Sequence, residues 1–350
     1  MSSNSGEIYF IREQSHSGSD LTPLVKIGLV RQHEGRSSYE RVQEHQTGNP
    51  RTLVLTDRNI IFTDAVDHVE AQLHRRFAPN RISGEWFEFN TSSELDAALA
   101  DAKGLAAEMS KLRPLFEQAE ILQVTPDDGE IADASEDDLM NATDLLIAKE
   151  RVKICKTAKK PIEELIKKTF ESGVNVGTAA KSGTKTFVSK FDEAKFKQDY
   201  PEQYDEFLIK SSSWYQRFYL DSKIAKSTDV KKFSAFNETQ NEITRIDTQT
   251  INMSSPVKIN GLNDLLLEIT QLQVIAEWDQ EVAEAKLKQA CGTQLGIKNI
   301  CKWQRSDKIK SVFDTESFSK KHPEQYIDYL LDPVTKTYIR LTNVKTRTSN

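Results

Sequence analysis

Apolar and polar positions alternate over short distances in the first ninety residues of the chain. Residues 7–11 and 24–29 are rich in β-branched and aromatic side chains and are joined by a polar loop containing Ser and Gly, which predicts a β-hairpin. One helix is expected to begin at Ser37 or Ser38 and a second at Asp64, since each of these residues can serve as an N-cap. Further extended segments are expected at residues 52–55, 60–62 and 86–89.

The apolar spacing changes from residue 93 onward. Apolar residues then recur at intervals of three and four, which predicts a helix with a narrow seam made of Leu95, Ala98, Ala102, Leu105, Met109 and Leu112. Such a seam either packs on its own domain or pairs two copies into a homodimer through helix 94–113. Residues 127–138 contain seven acids and are expected to be a solvated linker. We therefore predict a compact domain at residues 1–92 and an acidic helical connector at 93–140.

The second half of the chain contains an internal duplication. The sequence FDEAKF at 191–196 and PEQY at 201–204 recurs, at an offset of 122 residues, as FDTESF at 313–318 and PEQY at 323–326. The helical stretch before each copy aligns at an offset of 120. This pattern predicts two repeat modules, at residues 141–222 and 260–345, with a Thr-, Asn- and Ser-rich linker at 223–259. The fold class is expected to be α+β, with a small sheet and flanking helices, a helical connector and two tandem α+β modules.

Composition and charge limit the compartments and partners of the chain. Charged residues make up 29%, and no apolar run reaches about 18 residues, so no membrane span or membrane partner is expected. The N-terminus lacks the features of a secretory signal, so a cytoplasmic location is expected.

The net charge of -6 is unevenly distributed along the chain, because residues 93–140 hold 3 Lys/Arg against 13 Asp/Glu, whereas 141–350 hold 34 against 28. Phosphate contacts are therefore expected outside the acidic middle. The three cysteines lack metal-binding spacing and are expected to be core residues.

Five residues of the first domain have the chemistry that metal-assisted phosphodiester hydrolysis requires. Arg41 and His45 lie four apart on one helix, Glu70 lies on the next helix, and Tyr9 and Lys26 lie on the hairpin. A carboxylate can hold a hard cation, an arginine keeps its charge, and a tyrosine or lysine can take a proton. An arginine or a glutamate on an exposed helix face, taken alone, is more often a solvated surface group.

The order of these residues and their local sequence resemble the GIY-YIG endonuclease superfamily, in particular its phage-type branch with TGNP and GEWF boxes. The resemblance covers residues 6–90 and consists of six boxes: Ile8-Tyr9, Lys26-Ile27-Gly28, Arg41-x-x-x-His45, QTGNP at 46–50, EAQLHRRF at 70–77 and GEWF at 84–87. Two positions depart from the family pattern. Lys26 replaces the tyrosine of the second motif, and neither Asn80 nor Asn90 has the spacing of the asparagine that usually follows the glutamate.

The resemblance implies a role for each candidate residue. Glu70 would be the sole protein ligand of Mg²⁺, or Mn²⁺, with phosphate oxygens and water completing the coordination. Arg41 would stabilise charge on the phosphoryl oxygens, and Lys26 would neutralise phosphate charge. Tyr9 would position or deprotonate the attacking water, and His45 would assist at the attacking or leaving oxygen.

Contacts with DNA are expected at two places. Arg75 and Arg76 lie beside the candidate metal ligand, and Lys302 and Arg305 lie in the second module. Residues 173–218 are similar to the segment that trails the nuclease core in YqaJ-like viral recombinase exonucleases, although this chain shows no exonuclease core motif. The repeats are accordingly expected to hold DNA or proteins of recombination or defence machinery.

These patterns favour a metal-dependent DNA endonuclease, and two alternatives stay open. The first is a catalytically weak or inactive nucleic-acid-binding or regulatory protein that has kept the nuclease scaffold. Lys26 and the missing asparagine motivate it. The second is an assembly factor of phage recombination or defence machinery, in which the modules recruit other proteins.

Overall fold

A six-stranded sheet with two helices forms the N-terminal domain in the computed structural model, which describes residues 4–15, 18, 20–173, 180–251 and 259–341. The central strands β1 and β2 pair antiparallel, β3 and β4 pair with β1, and β6 joins β2 to the edge strand β5. The elements are β1 (Gly6–Gln14), β2 (Leu21–Arg31), α1 (Ser38–Gln46), β3 (Leu53–Val54), β4 (Ile60–Thr63), α2 (Val66–Arg76), β5 (Arg81–Ser83) and β6 (Trp86–Glu88).

Hydrogen bonds and ion pairs near their first residues explain where the two helices of this domain begin. Helix α1 begins with a capping box, in which Ser37 and Glu40 each accept a hydrogen bond from the other's backbone N–H. Helix α2 begins two residues after Asp64, which pairs with Arg113 instead of capping the helix. Its residues Val66, Val69 and Leu73 pack on the sheet. The α+β class expected from the sequence is confirmed.

Helices α3 (Ser92–Ser110) and α4 (Arg113–Gln123) follow the sheet. The seam residues Leu95, Ala98, Ala102 and Leu105 are buried in the same core as the sheet. Of the two expectations for this seam, packing on its own domain is therefore the one that the structure shows. These four side chains are core residues of the domain, and a homodimer through helix 94–113 stays a prediction.

The remaining elements form one interlocked C-terminal unit. They are β7 (Ile131–Ala132), α5 (Glu136–Glu171), β8 (Ala180–Phe187), α6 (Glu193–Asp199), α7 (Pro201–Glu206), β9 (Leu208–Leu220), α8 (Ser222–Ser227), α9 (Ser234–Ile251), α10 (Ile259–Cys291), β10 (Gly296–Ile297), β11 (Cys301–Phe313), α11 (Thr315–Lys321), α12 (Pro323–Asp328) and β12 (Val334–Leu341). The long helices α5 and α10 pack along one another.

The two sequence copies exchange strands instead of folding side by side. The first strand of each copy pairs with the last strand of the other, as β8 with β12 and β11 with β9. Gln203 and Gln325, which are 122 residues apart, exchange side-chain hydrogen bonds of 3.0 Å. Phe196 and Phe318 share the same offset and their rings lie 4.6 Å apart. An approximate two-fold relation of the copies follows from these contacts.

Two segments expected to be linkers are packed in the structure. The carboxylate of Asp127 accepts a hydrogen bond of 2.6 Å from the backbone N–H of Arg305, and β7 pairs with β10, so the acidic run is docked rather than free. Residues 234–251, expected to belong to the linker 223–259, form α9, whose residues Ile243 and Ile246 are buried against α5 and α10. Parts of the expected linker and modules lie outside the described residues, namely 174–179, 252–258 and 342–345.

The cysteines lie where the sequence predicts them, in the core of the described part of the chain. All three cysteines are buried and unpaired. Among the described residues, no helix has an apolar stretch long enough to cross a bilayer.

The register of the central hairpin makes a prediction for Gly28, which lies opposite Tyr9. A Cβ at position 28 would lie 2.6 Å from Cζ of Tyr9, closer than carbon atoms can pack. Gly28→Ala should therefore lower the free energy of unfolding by about 1–3 kcal/mol, the usual cost of overpacking. Chemical denaturation of the full chain measures this change.

Gly48→Ala is the matched control, because a Cβ at Gly48 meets no atom within 4 Å. It should change the free energy of unfolding by less than about 0.5 kcal/mol. Equal effects of the two substitutions would contradict the packing of Tyr9 over Gly28.

Candidate active site

Tyr9 and His45 meet where β1 passes beneath α1. Tyr9 is 1% exposed, and its hydroxyl lies 3.3 Å from Nε2 of His45. Burial, together with the positive charges of Lys26 and Arg41, lowers the pKa of His45 to about 4. The imidazole is therefore uncharged near neutral pH. With its proton on Nδ1, its Nε2 accepts a hydrogen bond from the phenol of Tyr9.

Two cations flank this pair. Burial alone would lower the pKa of Arg41, but hydrogen bonds to Glu44 and Tyr9 outweigh it and raise the pKa above its ordinary value. Lys26 Nζ lies 2.7 Å from a carboxylate oxygen of Glu85. Both side chains of this ion pair are largely shielded from solvent. The site therefore holds two fixed positive charges beside a neutral imidazole.

Glu70 lies in a cleft next to this group. It is 7% exposed, and Asp67, Glu85 and His74 line the same cleft. Glu85 is thus shared, since it lines the cleft with Glu70 and also holds Lys26. Tyr9, Lys26, Arg41 and His45 lie on the face of the sheet that α1 covers, whereas Glu70 lies on α2, which covers the other face. Glu85, which lines the cleft of Glu70 and pairs with Lys26, is the residue that links the two sets. Sequence reasoning recognised the GEWF box but assigned no role to its acid.

The donor atoms of the cleft suit a hard divalent cation. Within the described ranges, no group of three or more His, Cys, Asp or Glu residues is placed to hold a metal ion. Glu70 and Glu85 nevertheless both line one cleft. Mg²⁺ is commonly bound through one or two carboxylates, with water and substrate phosphates as its other ligands. The residues present fit such a partly substrate-held ion.

Helix α10 forms the opposite wall of the cleft, with residues Leu267, Thr270, Gln271 and Val274. His74 Nε2 lies 2.9 Å from the carbonyl oxygen of Ile27, and Nδ1 lies 2.9 Å from the amide nitrogen of Gln271. These partners assign the ring proton to Nε2, which donates to the carbonyl, while Nδ1 accepts from the amide. Nothing in the local sequence signals this wall, because His74 and Gln271 are 197 residues apart.

Two more contacts fix α10 on the N-terminal domain. The rings of His68 and Trp278 stack with their centres 5.2 Å apart, and Arg81 donates a hydrogen bond of 3.3 Å to Gln271. Helix α2 is therefore buried on two sides, against the sheet on one and against α10 on the other.

The expected DNA-binding residues lie in different surroundings. Arg76 forms an ion pair with Asp101, Arg75 lies 3.5 Å from a carboxylate oxygen of Glu242, and both arginines keep part of their surface exposed. Lys302 is exposed.

Arg305 requires a correction, because it is 0% exposed. Its guanidinium donates hydrogen bonds of 2.9 Å to the carbonyl oxygens of Leu122 and Gln294 and lies 3.9 Å from the ring centre of Trp303. This guanidinium is hydrogen-bonded to carbonyl groups inside the fold and has no exposed surface with which to contact DNA.

Comparison with known protein families gives a match over the N-terminal domain. No curated protein and no solved structure matches the chain. The matched span, residues 6–103, contains the whole sheet, α1, α2 and the first part of α3, and with them Tyr9, Lys26, Arg41, His45 and Glu70. Over these residues the chain matches the T5orf172 domain, a phage-associated family of GIY-YIG-like endonuclease domains.

Proposed function

We propose that this protein is a metal-dependent DNA endonuclease that hydrolyses phosphodiester bonds. The observation that carries the proposal is the contact between Tyr9 and an uncharged His45, flanked by Arg41 and Lys26, inside a span that matches a nuclease-like domain family. The cleft that contains Glu70 adjoins this group through Glu85.

In the proposed reaction, Tyr9 and His45 move a proton away from the attacking water. The phenol of Tyr9 passes its proton to Nε2 of His45 and takes one from water. The resulting hydroxide attacks phosphorus, the bond from phosphorus to the leaving oxygen breaks, and that oxygen takes a proton from solvent. The low pKa keeps the imidazole uncharged before the step, and it makes the resulting imidazolium a strong acid that releases the transferred proton to solvent.

The charged residues stabilise the phosphate during the attack. Arg41 and Lys26 place positive charge near the site, where negative charge increases on the phosphoryl oxygens. Glu70, with Glu85 beside it, is proposed to hold Mg²⁺ or Mn²⁺, which when bound supplies Lewis-acid charge to the phosphate. Arg75, Arg76 and Lys302 are proposed to contact the DNA backbone.

One observation favours an alternative in which the protein is a DNA-binding or regulatory protein with weak or conditional activity. Helix α10 closes one side of the cleft, and Glu70 has little exposed surface. A phosphate that reaches Glu70 has to approach past this helix. Recruitment of recombination or defence proteins by the C-terminal unit is a further expectation from the sequence.

The proposal predicts that Glu70→Ala lowers Mg²⁺-dependent cleavage by about 10²-fold or more, because the metal loses its protein ligand. The assay uses the full chain and a panel of duplex, branched and single-stranded DNA, with Mg²⁺ or Mn²⁺ and with EDTA. Binding of DNA, measured without metal, should change little.

Glu108→Ala is the matched control for this substitution, since Glu108 is an exposed glutamate on α3 outside the cleft. Cleavage by this variant should equal that of the unaltered protein. Undiminished cleavage by Glu70→Ala would refute the assigned metal ligand.

A second prediction concerns the titration of His45. Its pKa of about 4 should appear in an NMR titration of the imidazole, well below the ordinary value near 6.5. Lys26→Met removes a positive charge that disfavours the imidazolium, so the pKa of His45 should rise in this variant. A pKa that does not move would show that Lys26 does not act on His45.

A further inference from the structure

The two-stranded ribbon formed by β8 and β12 presents one strongly basic face. Residues directly opposite one another across the ribbon share a face, which gives four rows: Lys181 with Arg340, Gly183 with Tyr338, Lys185 with Lys336, and Phe187 with Val334. We call these eight residues the ribbon face. Neither strand contains an aspartate or a glutamate. All four cations are exposed.

The pairing of like charges on this face is unfavourable for the ribbon itself. Lys185 lies directly opposite Lys336, and Lys181 lies directly opposite Arg340. Like charges in such positions destabilise a strand pair. Two such rows with no acid in either strand indicate that the cations act on an anion outside the ribbon.

Aromatic rings lie between and beside the cations. A Cβ at position 183 would lie 2.8 Å from the phenol ring of Tyr338, so only glycine lets this ring lie against the backbone. Tyr338 is 47% exposed. The ring of Phe187 is also exposed, with the ammonium groups of Lys185 and Lys336 at 5.2 and 5.8 Å from its centre.

The opposite face of the ribbon is anchored on the helices. Ala180, Ile339 and Leu341 pack against the core formed by α5, α9 and α10. The ribbon face is therefore a supported surface and not a free hairpin.

The second ribbon, formed by β9 and β11, provides an internal comparison. Adding 122 to Lys181 gives Trp303, and subtracting 122 from Arg340 gives Phe218, and these two residues are paired across the second ribbon. Trp303 is fully buried and Phe218 packs in the same core. The equivalent positions of the ribbon face carry exposed cations, so a residue pair that lies in the core in the second ribbon faces solvent in the first.

We propose that the ribbon face binds a single-stranded segment of DNA. The four cations would contact backbone phosphates, and Tyr338 and Phe187 would stack on bases. A duplex does not offer the faces of its bases to such rings, and an acidic peptide would pair with the cations but leave the rings unused. The inference rests on the proposed function only in taking DNA as the polymer.

The test measures binding separately from cleavage. Full-length protein carrying Glu70→Ala is titrated, in EDTA, against a fluorescent oligothymidylate, and binding is followed by anisotropy. Tyr338→Ala should weaken binding roughly tenfold to a hundredfold, because one stacked base is lost. Tyr338→Phe keeps the ring and should bind within about twofold of the parent.

The contribution of the cations is tested through the salt dependence. Lys185→Gln combined with Lys336→Gln should reduce the slope of log K against log salt by about 1.4, at roughly 0.7 per phosphate contact on a single strand. Lys160→Gln combined with Lys210→Gln removes the same charge from exposed lysines elsewhere and should leave the slope unchanged. Relief of the like-charge row should leave the melting temperature of the first double variant equal or higher, which separates lost binding from unfolding.

Three results would overturn the inference: unchanged oligothymidylate binding in Tyr338→Ala, equal salt slopes in the two double variants, or equally tight binding of polyglutamate. Loss of binding in the ribbon variants supports it even if the unaltered protein cleaves no DNA, in which case the proposed function alone fails.

Discussion

The packing of α10 is the constraint on which the arrangement of the whole molecule depends. This helix lies along α5 in the C-terminal unit and also packs on α2 and α4 of the N-terminal half. The hydrogen bonds from Gln271 to His74 and from His74 to Ile27 connect it to β2, the strand that carries Lys26. Because buried contacts of this kind tolerate little displacement, the position of α10 determines the shape of the candidate cleft.

The candidate site is organised by charge. Burial, together with the positive charges of Lys26 and Arg41, keeps His45 neutral, and Glu85 balances the charge of Lys26 while lining the cleft of Glu70. A neutral imidazole beside a phenol can receive a proton, and fixed cations nearby favour the anionic forms of phenol and phosphate. The charges of Arg41 and Lys26 thus favour the uncharged imidazole of His45, which can accept a proton, and the anionic form of Tyr9, which can take a proton from water.

The N-terminal domain was largely predictable because its signals are local. The hairpin can be recognised from residues 7–29, and the cap at Ser37 and the spacing of Arg41 and His45 can each be recognised within about ten residues of sequence. The burial of Arg305 could not be predicted, since it depends on carbonyl groups of residues 122 and 294. Helix α9 was missed because polar residues dominate its sequence and only a few, such as Ile243 and Ile246, reveal its buried side. The duplication could be recognised in the sequence. The exchange of strands between its two copies could not be predicted, because it depends on pairing between residues far apart in the chain.

The wall that α10 contributes to the cleft has a consequence for how the molecule is divided. The span that matches a domain family ends at residue 103, whereas the wall comes from residues beyond 266. A fragment cut at that boundary keeps Glu70 and Glu85 but loses half of their enclosure, and it exposes the side of α2 that carries His68 and His74. The smallest piece of this chain that contains the intact cleft is therefore larger than its recognisable domain.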